Sequence, residues 1–251
     1  MSGAVDLGAV SVVIPALNEE RTVAGVVDAC LRSGAGEVLV VDSDSADGTA
    51  AAAAAAGARV VNWRDVDPRE PVPGKGEALW RGVRAARGEV VVFVDADVVN
   101  ARPWWIPALA APLADPAVHL VKANYVRAAG ETGRGGGRVT ELTAKPLLRA
   151  FFPELAPVRQ PLSGEYALRR STALRLPFVA GYGVEVGLLV DVAKQYGPEA
   201  VAEAELGLRE HRNRPLAELA PMADVVARTI LARAGAAGAG EVEQRPPWLA
   251  D

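Results

Sequence analysis

The first hundred residues alternate between unbroken apolar runs and Ala-rich or amphipathic stretches. The apolar runs are residues 10–15 (VSVVIP), 37–42 (EVLVVD), 59–63 (RVVNW) and 89–95 (EVVVFVD); between them lie residues 19–32, 48–56 and 76–87. Runs with no polar alternation predict strands buried on both faces, and the intervening stretches predict the helices that cover them. Helix propensity explains the alanine run before Gly57, where the helix should stop. Four β-α units in succession predict an α/β fold, an open, twisted, Rossmann-like and mainly parallel sheet with helices on both faces. Ligands of such sheets lie outside the carboxyl ends of the strands, so the chemistry is sought where each run stops.

The second half is less regular. It predicts a strand over 118–126, a glycine-rich loop over 130–137, a helix over 139–152 and a short strand over 165–168. A helix over 184–196 and a strand over 201–210 follow, then a helix with Pro215 in its first turn, where proline is tolerated. No repeat or long linker separates the halves. Residues 1–238 therefore read as one domain, with a nucleotide half (1–100) and an acceptor half (101–238); residues 239–251 read as a mobile tail.

Composition narrows the ligands. The chain has 251 residues, with 27 basic against 31 acidic side chains and a formal charge of −4, so it offers no global attraction to nucleic acid or anionic lipid. Anionic ligands must be caught by local Arg and Lys clusters. One cysteine, Cys30, permits neither an internal disulfide nor a thiolate metal site, which points to a reducing compartment. No apolar run approaches the roughly 20 residues that span a bilayer, and the N-terminus lacks the basic region of a secretory signal. The expectation is a cytoplasmic protein with no nucleic-acid and no integral membrane partner.

The fourth run ends in VDADVVN. Residues two apart on a strand share a face, so Asp95 and Asp97 leave on the same side, about 6.6 Å apart at Cα. A carboxylate pair in a loop can be merely a hydrophilic turn; at the end of a buried strand it suits a hard divalent cation shared with substrate phosphates. The first run ends in PALNEE, presenting Asn18 and Glu19, and the second in DSDSADGT, whose acceptors suit a base or ribose. Asp47 in that segment suits helix capping. Lys75, between two glycines, could reach a phosphate, although neither a P-loop nor a G-x-G-x-x-G is present. Gly135–Gly137 followed by Arg138 and Thr140 at a helix start could form an anion site or a mobile loop with a cap. His211 lies among Arg209, Arg212, Asn213 and Arg214; a neutral imidazole there could complete a divalent site, while His119 sits in an apolar strand and reads as structural.

Together VSVVIPALNEE, VVDSDSADGT, PGKGEALWRG, VVFVDAD, HLVKANY, GGGRVTEL, GYGVEVGLLVD and LGLREHRNRPLAEL resemble the glucosyl-3-phosphoglycerate synthases, retaining glycosyltransferases of the GT-A fold. The resemblance runs from about residue 10 to 232. It implies glucose transfer from UDP-glucose to the 2-hydroxyl of 3-phosphoglycerate with Mg²⁺ (Mn²⁺ as a substitute), and a homodimer. It implies that Pro15, Ala16, Leu17, Glu19, Ser43, Lys75, Asp95, Ala96 and Tyr182 hold the donor, and that Asp95, Asp97 and His211 hold the metal. It further implies that Gly137, Arg138, Val139 and Thr140 bind the acceptor, with Arg209 and Asn213 assisting. Glu185, with Asp97, would stand closest to the chemistry; as a carboxylate at a helix start, Glu185 is also favoured by the helix dipole alone. Two positions depart from the family pattern. Asp44 replaces the glycine of D-S-G-S-T and is expected to add a carboxylate near the donor, and Ser163 replaces the first glycine of P-L-G-G-E-Y. Readings left open are a GDP-mannose or GDP-glucose donor, another small acidic acceptor, or a non-catalytic sugar-nucleotide sensor.

Overall fold

The computed structural model describes residues 4–128, 137–210 and 216–249. The first half runs β1 (Val10–Ala16), α1 (Val23–Leu31), β2 (Glu37–Asp42), α2 (Thr49–Ala55), β3 (Arg59–Asn62), α3 (Trp63–Val66), α4 (Lys75–Ala85) and β4 (Val90–Phe93). These four strands are mutually parallel, as unbroken apolar runs require. The second half runs α5 (Trp105–Ala110), β5 (Leu120–Ala128), α6 (Lys145–Phe151), β6 (Tyr166–Arg169), α7 (Arg170–Ala173) and β7 (Phe178–Val179). It finishes with α8 (Val184–Tyr196), β8 (Val201–Glu210), α9 (Leu216–Arg233) and β9 (Gln244–Arg245).

One sheet of seven strands joins the halves in the order β3-β2-β1-β4-β6-β5-β8. Only β6 runs against its neighbours; β5 and β8 are parallel. The chain runs outward from β1 through β2 to β3 and then crosses back to β4 on the other side of β1; this reversal of strand order opens a crevice beyond the carboxyl ends of β1 and β4. Alternation of side chains places Val12 and Ile14 in one core with α1 and α5, and Val13 in the other with α4, α8 and α9. The sheet is thus buried on both faces. No helix among the described residues is long and apolar enough to cross a membrane.

Differences from expectation have local causes. The helix expected from residue 19 starts at Val23, because the chain first turns through Asn18 at φ 57°. β3 stops at Asn62, whose side chain accepts the Arg64 N–H at 2.9 Å and opens α3. The helix over 139–152 begins with a π turn, Thr140–Ala144, before α6. α5 (WIPALA) is hidden in the sequence by Pro107, which falls in the first helical turn where no intrahelical N–H bond is needed. The expected mobile tail is corrected over residues 243–249: β9 pairs with β7, and Trp248 stacks on Trp80 with ring centroids 3.7 Å apart.

Candidate active site

The loops after β1 and β2 are locked together. The Ala46 N–H donates to Asn18 Oδ1 at 2.8 Å, Asn18 N–H to Ser45 Oγ at 3.0 Å, and Glu19 N–H to Thr49 Oγ1 at 2.8 Å. Asp47 accepts the Thr49 N–H at 3.0 Å at the start of α2, the capping role expected of it. Asp44 takes φ 62°, a left-handed value open to Asp and Gly, which explains why an aspartate fits where the family pattern has glycine. Its carboxylate turns to Asn62 (2.9 Å) and Arg64 (2.7 Å) and lies outside the cavity described next. These hydrogen bonds hold it at about 2, so the expected extra charge beside the donor is corrected to an outward ion pair.

Beyond the strand ends lies a cavity of about 500 Å³. Of the residues expected for the donor, Pro15, Ala16, Leu17, Glu19, Ser43, Lys75, Asp95, Ala96 and Tyr182 all line it. So do Gly137, Arg138, Val139 and Thr140 from the expected acceptor group, and Asp97, Glu185 and Arg209. His211, Asn213 and the loop glycines 135–136 lie outside the described residues, as does Pro215. The sequence reading missed Trp63, Tyr125, Leu162 and Gly164, and also Leu219, Met222 and Val226, whose spacing puts them on one face of α9. A Cβ on Gly164 would stand 2.0 Å from Asp95 Oδ2, so only glycine lets the chain pass this carboxylate.

Charge organises the cavity. Lys75, first residue of α4, forms ion pairs with Asp95 Oδ1 and with Glu185 Oε1, the latter at 2.7 Å. Burial opposes its charge, but Asp95 and Glu185 outweigh that and raise its pKa well above the ordinary lysine value. Arg209, expected to assist the acceptor, lines the cavity and is ion-paired with three carboxylates. Its Nε meets Glu165 Oε1 at 2.9 Å and its Nη2 meets Asp95 at 3.1 Å and Asp97 at 3.7 Å. Burial again opposes, and the surrounding acids keep the guanidinium charged. Glu165 is fully buried, and that burial pushes its pKa up despite Arg209. Nothing in its spacing marks it; a lone Glu before a strand is unremarkable in sequence. Behind the site Lys122 donates to Ser163 O at 2.9 Å, and burial brings its pKa down to about 7. His119 is structural as expected, stacking on Tyr196 at 3.8 Å with Nδ1 2.7 Å from Thr172 Oγ1.

Among the described residues no group of three or more His, Cys, Asp and Glu is placed to hold a metal. Asp95 and Asp97 nevertheless fit a hard cation. Both are oxygen donors lining the cavity, in the turn that follows β4 rather than on the strand as expected, since β4 ends at Phe93; Mg²⁺ commonly takes one or two carboxylates and completes its shell with water and phosphate oxygens. Gly137 (φ 82°), also in the cavity lining, turns the chain into the π turn, leaving Arg138 exposed and Thr140 buried.

This geometry has known counterparts. Residues 11–176 match the model of glycosyl transferase family 2. Glucosyl-3-phosphoglycerate synthase of Mycolicibacterium paratuberculosis is 50% identical over 243 residues, covering 92% of this chain and 74% of that one. The chain belongs to this family of GT-A glycosyltransferases. The Petrotoga mobilis synthase is 40% identical over 237 residues, covering 89% of this chain and 73% of that one. A crystal structure of the Mycobacterium tuberculosis synthase in complex with Mn²⁺, UDP-glucose and phosphoglyceric acid superposes with a TM-score of 0.88 at 44% identity. It covers 95% of this chain and 89% of that one. Another of the same protein, with Mg²⁺ and UDP, gives the same score at 44% identity, covering 95% of this chain and 90% of that one.

Proposed function

We propose that the chain transfers glucose from UDP-glucose to the 2-hydroxyl of 3-phosphoglycerate with retention, giving glucosyl-3-phosphoglycerate. The observation that carries this reading is one cavity lined both by a carboxylate pair with a lysine and by Arg138 and Thr140. A diphosphate leaving group and a small trianion are the ligands such an arrangement suits. The M. tuberculosis relative, crystallised with UDP-glucose and phosphoglyceric acid, supports the same pairing.

In this reading Pro15, Ala16, Leu17, Glu19 and Ser43 hold the uridine, and Tyr182 lies by the sugar. Asp95 and Asp97, with His211, would hold Mg²⁺ or Mn²⁺, which when bound supplies positive charge toward the departing diphosphate. Arg209, fixed by Glu165, keeps the two aspartates in place and offsets their repulsion. Lys75 offers a second positive charge for the leaving group once donor phosphates replace its carboxylate partners. Gly137, Arg138, Val139, Thr140 and Asn213 position the acceptor. Glu185, buried beside Lys75, is the carboxylate nearest the sugar's place. The reading brings with it a cytoplasmic location, where UDP-glucose and phosphoglycerate are drawn from central metabolism, and a homodimer, which sedimentation reads directly. UDP release with a panel of donors and acceptors tests the whole. Release requires UDP-glucose, 3-phosphoglycerate and Mg²⁺ together, and an equal rate with GDP-mannose or with glycerate contradicts the assignment.

A further inference from the structure

We propose that residues 243–249 form a strap that positions Lys75 against Glu185, with Arg245 as its positioning residue; this rests on the transferase reading above. The strap crosses the place where two cavity-lining segments meet. One is the first turn of α4, which begins with Lys75; the other is the turn from β7 through Tyr182 into α8, which carries Glu185. The two are in close backbone contact. A Cβ on Gly76 would lie 1.8 Å from Val179 O, and one on Gly74 would lie 2.6 Å from Gly181 Cα.

The strap holds both segments. On the β7 side, β9 pairs Gln244 with Val179 and Arg245 with Phe178, and the Ala180 N–H donates to Glu243 O at 2.9 Å. On the α4 side, Arg245 Nε donates to Glu77 Oε2 at 2.7 Å, two residues after Lys75. Glu77 is fully buried, and its other oxygen takes Arg81 Nε at 2.7 Å. Arg81 in turn donates to the carbonyls of Trp63 (2.7 Å), Asp67 (2.7 Å) and Arg69 (2.6 Å). A single buried carboxylate thus links the strap to the loop between Trp63 and Gly74, both of which line the cavity. Trp248 closes the clamp by stacking on Trp80 and donating from Nε1 to Trp80 O at 2.9 Å, while Trp80 Nε1 donates to Pro246 O at 2.9 Å.

Sequence-remote residues therefore set the distance between a catalytic cation and its carboxylate partner. Geometric errors near 1 Å from such remote changes can lower rates by about 10²-fold. The strap's hydrogen bonds run to the turn after β7 and to α4 rather than to the turn that carries Arg138 and Thr140, so acceptor binding is expected to be spared.

The test is steady-state kinetics on Arg245→Ala, Arg245→Lys and Trp248→Ala beside the wild type, with thermal unfolding of each. Wild-type transfer checks the underlying reading; the ratio of variant to wild type checks the strap. Arg245→Ala is expected to lower kcat about tenfold or more while the KM for 3-phosphoglycerate stays within about twofold. Arg245→Lys, which keeps a cation for Glu77, recovers most of kcat. Should Arg245→Ala not fold, Trp248→Ala leaves the Glu77 pair intact and is expected to lower kcat several-fold with the same unchanged acceptor KM. Calorimetry with UDP and Mg²⁺ gives a readout free of turnover: affinity weakens in the folded variants. Unchanged kcat and UDP affinity in a folded variant overturns the proposal. So does a loss spread evenly over kcat and both KM values, or a lysine variant no better than alanine.

Discussion

Replacing Lys75 with Met removes the ammonium between Asp95 and Glu185 and keeps most of the aliphatic stem. At the 2.7 Å separation from Glu185 and an effective dielectric of about 20, the attraction lost is about 6 kcal/mol. Desolvation of the ions offsets part of this, and removing one partner of a buried pair typically costs about 3–5 kcal/mol. For a chain of this size that corresponds to a Tm lowered by about 6–20 °C. Calorimetry reads it. The sign of the pH dependence follows from the raised Lys75 pKa: its contribution is complete below the ordinary value of 10.5 and is lost only as pH climbs through the higher folded value. The Tm gap between wild type and variant therefore stays constant from about pH 6 to 9 and narrows in alkali. In a UDP-release assay at saturating substrates, loss of a charge aimed at the leaving group lowers kcat about 10²–10³-fold. A Lys75→Met protein with kcat within about threefold of wild type and little change in Tm would exclude both roles of the ammonium.

Gly164→Ala drives a methyl against Asp95, so activity falls far more than secondary structure, which circular dichroism and UDP release read together. Arg138→Ala removes a charged hydrogen bond worth about 1.5–3 kcal/mol, raising the KM for 3-phosphoglycerate about 10–150-fold with the UDP-glucose KM unchanged. Asp44→Gly keeps the left-handed backbone and deletes a carboxylate outside the cavity, so both KM values stay within about twofold. Because the Asp44 carboxyl sits at about 2 against an ordinary 3.8, its stabilisation is present above the ordinary value and lost as pH falls toward 2. Acid unfolding of Asp44→Gly should lack that component.

Unbroken apolar runs made the parallel half legible, because strands covered on both faces admit no polar alternation. Residues 184–196 and 201–210 matched α8 and β8 at both ends. Strand-end reasoning leads to Asp95, Asp97 and Glu19, all of which line the cavity. What escaped depends on partners distant in sequence. The strap EQRPPWL has no periodicity; it is held by a two-residue strand, one guanidinium and one ring, each meeting residues some 65 to 170 positions away. Asp44 showed its charge in sequence but not its direction, which a positive φ decides. Arg209 is legible in sequence as part of a basic cluster, but its pairing with Glu165, 44 residues earlier, is set only by the fold.

The proposed transfer is read most directly by NMR of the product formed from UDP-glucose and 3-phosphoglycerate with Mg²⁺, beside an EDTA control. An α-linked glucosyl group on the 2-hydroxyl is expected, with one UDP released per linkage and no product when the metal is chelated. A β-linked product, linkage at another oxygen, or undiminished transfer in EDTA contradicts it.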